Sequence, residues 1–364
     1  MIENKTIAVV VPAYNEESQI GMVIEGMPDY VDRIVIVNDC SKDATSQKII
    51  EYIESGKYPS LNDSIQKQKI VPNRYNEADV FVEQLSDKED FTNSKEYVSS
   101  ETKSKIVLID HIDNGGVGAA IATGYKWCMD HGVDCTAVMA GDGQMDPSEL
   151  EGICNPVLYD KVDYVKGNRL SHRSAKHLIP TKRYFGNSIL SIMTKMASGY
   201  WRVSDTQTGY TAISLTALKR IEIGSIYKSY GMPNDMLVKL NLAKCTLKEI
   251  EIKPIYRVGE QSKMKITKLI PRVSWLLFRS FFQRIFFRYF LKDFHPLFLL
   301  YVLSFILFGT AIPFGIKIFQ NMLQKGAVTP NSILMIFIFL IISGFQSLLF
   351  AMWMDIQDND RLQK

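Results

Sequence analysis

Residues 138–147, VMAGDGQMDP, hold a carboxylate and an amide, Asp142 and Gln144, on either side of Gly143. The apolar run 136–140 reads as a buried strand, 141–144 as a sharp turn, and Pro147 with Glu149 as the opening of a helix. That pattern sets both polar side chains at the carboxyl edge of a strand, where open α/β sheets bind ligands. Their oxygens suit a hard divalent cation, Mg2+ or Mn2+, that keeps waters to exchange for a phosphate. A solvated strand-to-helix turn would carry the same residues, so the neighbouring segments have to decide.

Three further strand ends are polar. Residues 12–17 read PAYNEE, 38–46 read NDCSKDATS, and 110–120 read DHIDNGGVGAA. In a parallel sheet all of these line one rim together with 141–144. Asp39 is suited to accept from a base N–H or a ribose hydroxyl, whereas Asp43 and Thr45 equally fit a helix cap. The glycines at 115, 116 and 118 allow backbone to approach a ligand closely. GVGAAI, 116–121, partly matches the dinucleotide fingerprint GxGxxG, but Ile121 stands at the third glycine and the strand is not the first of the fold. A dehydrogenase is therefore the weaker reading. His172 and His177, five apart on an expected loop without a third ligand, read as surface histidines rather than a metal site.

The scaffold for this rim is an alternation. Strand-like runs at 6–11, 33–37, 105–109, 136–140 and 164–166 are separated by helical runs at 16–27, 43–54, 118–130 and 147–158. Continuous apolar strands with helices between them predict an α/β fold, a mostly parallel sheet covered on both faces. Residues 55–104 interrupt the rhythm as a polar insertion at the sheet edge, with one apolar patch at 78–85, and carry no assigned chemistry. A further amphipathic helix is expected from Pro180, its basic start at Lys182 and Arg183 meeting a lipid phosphate or water.

The end of the sequence has a different composition. Residues 296–319 are apolar apart from Lys317, and 333–354 have Ser343, Gln346 and Ser347 as their only clearly polar members. Each reaches the ~20 residues that span a bilayer, and both are hydrophobic all round, so a transmembrane hairpin is expected over a buried soluble one. Basic residues crowd 257–292, whereas the linker between the spans offers only Lys325, with Lys317 nearby. The positive-inside rule then puts the large amino-terminal region in the cytoplasm. Between the two, 272–292 reads as an interfacial helix, apolar side in the lipid and Arg279, Arg284, Arg288 and Lys292 at anionic headgroups; a buried amphipathic helix is the alternative. The expected organisation is a catalytic domain at 1–256, a mobile loop and juxtamembrane helices at 257–295, two spans within 296–354, and a cytoplasmic tail at 355–364. The formal net charge of +3 gives no argument for nucleic acid, and five scattered cysteines without CxxC spacing fit a reducing compartment.

VVVPAYNEE, IVIVNDCSKDATS, NGGVGAAIATGY, VMAGDGQMDP, KGNRL, SDTQTGYTAIS and GEQSK follow one another in this order. Together they resemble the inverting family-2 glycosyltransferases of GT-A (Rossmann-like) fold, in the membrane branch similar to dolichyl-phosphate mannose synthase and bacterial polyprenyl-phosphate glucosyltransferases. The resemblance covers most of 5–270 and implies a role for each matching position. Pro12, Ala13, Tyr14 and Glu16 would frame the nucleotide base, Asp39 would read the base or ribose, and Asn114 and Gly118 would form the third nucleotide segment. Asp142 matches the second acid of the DxD motif and Gln144 a metal or diphosphate contact. Arg169 stands where the branch uses arginine near the transferring phosphates. Asp205 and Gln207 match the acceptor-side DxQ motif, and Ser262 and Lys263 a loop that closes over the site. One position departs: Ala140 replaces the first DxD acid, which leaves metal binding to Asp142, Gln144 and the donor diphosphate.

The implied reaction is transfer of a hexose from a UDP- or GDP-linked sugar to a polyprenyl phosphate, assisted by Mg2+ or Mn2+, with Asp142, Arg169 and Lys263 stabilising charge on the leaving diphosphate. A lipid phosphate is already ionised and attacks unaided. A lipid hydroxyl, as in a diacylglycerol or sphingolipid, would need a base, for which Asp235 at the start of a helix is the candidate; a helix-start carboxylate favoured by the dipole is the other reading of that residue. A non-catalytic membrane protein that senses nucleotide sugar is the alternative outside enzymes. The resemblance also admits a homo-oligomer.

Overall fold

The structure, a computed structural model, describes residues 5–60, 62, 65–68, 70–97, 104–178, 181–255, 266–324 and 328–364. Its centre is an eight-stranded sheet. The strands are β1 (Ile7–Ala13), β2 (Arg33–Asn38), β3 (Ser94–Tyr97), β4 (Ile106–His111), β5 (Cys135–Val138), β6 (Tyr164–Asn168), β7 (Thr211–Ser214) and β8 (Leu247–Glu251), in the order β3-β4-β2-β1-β5-β7-β6-β8. β4, β2, β1 and β5 are mutually parallel, as are β6 and β8. β7 runs antiparallel between β5 and β6, and β3 runs antiparallel at the edge.

Alternate residues of β1 explain why the strands are apolar throughout. Ile7, Val9 and Val11 enter one core, while Ala8 and Val10 enter the other. The first core is closed by α1 (Ile20–Glu25), α2 (Thr45–Glu54) and α5 (Leu150–Leu158); the second by α4 (Val117–Asp130), α8 (Leu215–Arg220) and α9 (Met232–Leu242). Successive side chains of a strand point to opposite faces, so a sheet covered twice requires this continuous hydrophobicity. The expected α/β class is found.

Parts of the insertion form regular elements. Residues 78–85 lie in the helix α3 (Glu77–Asp87), and β3 extends the sheet beyond β4. The strand expected at 136–140 ends earlier, at Val138, and Met139 reaches back to the Val10 carbonyl. A four-residue helix, α6 (Ala175–Leu178), precedes α7 (Thr181–Ser198), which begins where the amphipathic pattern placed a helix.

Three helices complete the chain: α10 (Ile266–Phe286), continued by a π-helical turn at Phe287–Lys292, α11 (Pro296–Leu323) and α12 (Asn331–Asp360). The last two, at 28 and 30 residues, are long and apolar enough to cross a membrane, and only 22% and 11% of their most apolar stretches are buried. Long helices with apolar, uncovered flanks mark a membrane protein. On α10, Trp275, Phe278, Phe282 and Phe286 are exposed, as an interfacial helix requires. Arg284 and Arg288 depart from expectation. They are fully buried against Asp355 and Asp358 rather than presented at the surface. An amphipathic pattern defines which residues share a face but not which face meets solvent; the acids that attract these arginines lie some seventy positions further on. The tail expected at 355–364 comprises the end of α12, to Asp360, and a segment bonded to β8, where Leu247 donates to the Leu362 carbonyl and Lys364 donates to the Leu247 carbonyl.

Candidate active site

The loops after β1 and β2 are locked together at the rim. Gly141 donates to the Pro12 carbonyl and Asp39 to the Ala13 carbonyl, so the buried ends of β1 bind both neighbouring strand ends through their backbone. The Asn15 N–H donates to Ser41 Oγ and the Lys42 N–H to Asn15 Oδ1. The Glu16 N–H donates to Thr45 Oγ1, and Asp43 accepts from Thr45 and Glu17. The N-cap of α2, Ala44, has no side-chain cap; Asp43 and Thr45 instead tie the loop carrying Tyr14 and Glu16 to its neighbour.

Asp39 is the hub of this rim. Its carboxylate accepts from the Gly115 N–H at 2.8 Å and the Gly116 N–H at 2.7 Å, and pairs with His111 Nδ1 at 2.8 Å. The amide of Asn114 donates to its carbonyl. Burial alone would raise the pKa of this carboxyl, but the hydrogen bonds from His111 and the two glycines hold it below the ordinary carboxylate range. Three of the roughly four acceptor positions of a carboxylate are therefore in use. Asp39 shapes the third segment as well as facing the rim. His111, which the sequence reading passed over, completes the unit: its Nε2 lies 2.9 Å from Thr123 Oγ1 on α4. A histidine beside an aspartate at a strand end, 110–111, was the signal available.

The glycine-rich stretch is packed against a neighbouring loop. A β-carbon at Gly116 would lie 2.4 Å from the Lys228 carbonyl oxygen, and one at Gly118 would lie 2.0 Å from that of Tyr227. What approaches closely here is the backbone of 227–228, which also accepts the Gly118 N–H. That backbone is anchored by Asp235, whose Oδ2 accepts the Tyr227 N–H at 2.9 Å and lies 3.7 Å from Lys239. Burial raises the Asp235 pKa, with Lys239 opposing. Asp235 therefore holds the backbone that packs against the glycine-rich stretch.

Asp142 sits half-buried in the turn after β5, its Oδ1 accepting the Gln144 N–H at 3.0 Å, with Gly143 at φ 71° forming the bend. Burial raises its pKa, and among the described residues no lysine or arginine pairs with it. Nor do the described residues contain a group of three His, Cys, Asp or Glu side chains arranged for a metal. A single carboxylate with a neighbouring amide does fit an ion that takes most of its oxygens from water and phosphate, as Mg2+ usually does.

The positions expected on the acceptor side converge on one ion pair. Arg169 grips Asp205 with Nε at 2.8 Å and Nη2 at 3.1 Å, a bidentate geometry that fixes the guanidinium plane. Asp205 is almost fully buried, while a quarter of the Arg169 side chain is exposed (25%). Asp205 also accepts from the Gln207 and Thr208 backbone. Gln207 turns its amide to Asn234 Oδ1 on α9, which also accepts from Thr194 Oγ1 on α7. Beneath lies Lys166, fully buried, donating to the Thr208 carbonyl; burial pushes its pKa down to about 8 against the pull of Asp205 and Glu249. Glu249 accepts from the Ser204 and Asp205 N–H groups. Lys166, Glu249 and Asn234 carried no sequence signal, because a buried lysine in a strand is indistinguishable from an exposed one until the partner strands are known. Ser262 and Lys263 lie outside the described residues.

A family model described as glycosyl transferase family 2 matches residues 8–69, which span β1, β2 and α2. The chain is 28% identical to UDP-N-acetylglucosamine–dolichyl-phosphate N-acetylglucosaminyltransferase of Methanococcus voltae over 70% of its length and 87% of that protein. It is 23% identical to dolichyl-phosphate β-glucosyltransferase ALG5D of Trichomonas vaginalis over 77% of its length and 74% of that protein. With undecaprenyl-phosphate mannosyltransferase of Micrococcus luteus the identity is 27% over 41% and 60%. The chain is similar to family-2 glycosyltransferases of the polyprenyl-phosphate branch. Among solved structures, glucosyl-3-phosphoglycerate synthase of Mycobacterium tuberculosis with Mg2+ and UDP superposes with a TM-score of 0.46 at 17% identity, covering 77% of this chain and 79% of that one. This glycosyltransferase combines an α/β domain with two membrane-length helices.

Proposed function

We propose that this glycosyltransferase moves a hexose from a UDP- or GDP-linked sugar to the phosphate of a membrane polyprenyl phosphate, with inversion at the anomeric carbon and with its catalytic domain in the cytoplasm. Three relatives named for polyprenyl-phosphate acceptors support the acceptor class. The observation that carries the reading is Arg169: a partly exposed guanidinium, oriented by a buried carboxylate, suits a phosphate. The basic residues that precede α11 support the cytoplasmic side.

In this scheme Pro12, Ala13, Tyr14, Glu16, Asp39 and Asn114 frame the nucleotide, and Gly118 keeps the segment closed against 227–228. The lipid phosphate oxygen attacks the anomeric carbon, the bond to the nucleotide diphosphate breaks, and the electron pair leaves with that diphosphate. No proton has to be removed. Asp142 with Gln144 would hold a divalent cation, which supplies charge to the departing diphosphate. Arg169 orients the attacking phosphate, with Asp205 and Gln207 fixing that side, and Ser262 and Lys263 are assigned to closure over the site.

Transfer to a lipid hydroxyl is the second reading, favoured by one observation: burial raises the Asp235 pKa, as a general base requires. A screen of activated sugars with polyprenyl phosphate, read by the mass of the lipid product, tests the proposal. One hexose added to the lipid phosphate is the expected result; no product with any donor, while the protein binds nucleotide, would favour a sensor.

A further inference from the structure

The boundary between α12 and the catalytic domain is built from buried charge. Trp353 is 55% exposed, yet Asp355, two residues on, is fully buried. Crossing a bilayer takes ~20 residues, so a 30-residue helix has turns left over, and these enter the protein. Arg284 of α10 grips Asp355 with Nη1 at 2.8 Å and Nη2 at 2.7 Å, and donates to the Ala197 and Met196 carbonyls at the end of α7. One turn on, Arg288 donates to Asp358 at 2.7 Å, to Asn359 at 2.9 Å and to the Asn241 carbonyl of α9. Tyr289 donates to Asp355 and Asp358, and Asn241 donates to Asn359 at 2.7 Å.

Buried ion pairs are poor sources of stability, because desolvation offsets most of their attraction, but a hydrogen-bonded network permits one arrangement where apolar packing permits many. The helices gripped here are also those behind the acceptor side. α7 carries Thr194, bonded to Asn234, and Ser191, bonded to the Ser204 carbonyl beside Asp205; α9 carries Asn234, which accepts from Gln207. From this we infer that Arg284, Arg288 and Asp355 are positioning residues: they clamp the end of the second span to α7 and α9, and so set the height and angle at which the acceptor side faces the lipid. The inference rests on the polyprenyl-phosphate reading.

The test compares two acceptors with full-length protein: undecaprenyl phosphate in vesicles of phosphatidylethanolamine and phosphatidylglycerol, and citronellyl phosphate in solution. For Asp355→Asn, transfer to the vesicle acceptor should fall about a hundredfold, as displacement by an ångström can cause, while transfer to citronellyl phosphate stays near wild type; Asp355→Glu should recover part of the loss. Equal losses on both acceptors, or none, would overturn the clamp. If Asp355→Asn does not fold, judged by thermal unfolding in detergent, the exchange Arg284→Asp with Asp355→Arg takes its place, and failure of both to fold makes the network a folding element and overturns the inference. A wild type inactive on both acceptors would instead remove the acceptor reading, and the clamp with it.

Discussion

Gly118 and Tyr227 meet backbone to backbone: a β-carbon at 118 would sit 2.0 Å from the Tyr227 carbonyl oxygen, closer than any real contact. Carbonyl oxygens of a packed loop cannot swing aside as a side chain does. Gly118→Ala should therefore push 227–228 away from the third segment, lowering stability by about 1–3 kcal/mol and weakening nucleotide binding. Thermal unfolding in detergent and titration with UDP and GDP check this; an alanine variant with unchanged stability would contradict the packing role.

Asp235 separates the two acceptor chemistries. Asparagine retains an oxygen for the Tyr227 N–H but cannot take a proton, whereas alanine loses both. Transfer to a lipid phosphate should survive Asp235→Asn within a few-fold and fall in Asp235→Ala as the donor wall loosens. A loss of about 10²–10⁴ in Asp235→Asn would instead point to a general base.

Lys166 gives a pH signature. Its folded pKa of about 8 lies below the ordinary value near 10.4, so between these the unfolded chain binds more protons and stability rises with pH. The stability of the wild type relative to Lys166→Met should improve by about 3 kcal/mol from pH 7 to above pH 10. A difference that stays flat across this window would show that the buried amine does not titrate there.

Asp142 is the only acid of the DxD position, since Ala140 occupies the first. Its replacement by Asn should cost about 10²–10³ in turnover and reduce the response of activity to added Mg2+ or Mn2+, measured by a titration of each ion. Activity that is unchanged, with the same ion dependence, would remove Asp142 from the site.

Much of this was legible in the sequence, for physical reasons that also mark its limits. The two-faced burial of β1 forces an uninterrupted apolar run, and the polar strand ends 12–17, 38–46, 110–116 and 141–144 can only fall on one rim once the strands are parallel. The length and apolarity of α11 and α12 were equally plain. The antiparallel β7 was not, because its order in the sheet depends on pairing with β5 and β6 rather than on its own pattern. The purpose of Gly116 and Gly118 depended on a loop more than a hundred residues away, and the burial of Arg284 depended on Asp355, 71 positions further along. Helical spacing showed that Arg284 and Arg288 share a face; only their partners decide where that face looks.

The most direct measurement pairs undecaprenyl phosphate with undecaprenol, the same lipid without the phosphate, in identical vesicles with the purified protein and the nucleotide sugar it selects. Labelled sugar should pass to the phosphate-bearing lipid alone, and Arg169→Met should abolish that transfer. Transfer to undecaprenol at a similar rate, or phosphate glycosylation unaffected by loss of Arg169, would contradict an acceptor recognised through its phosphate.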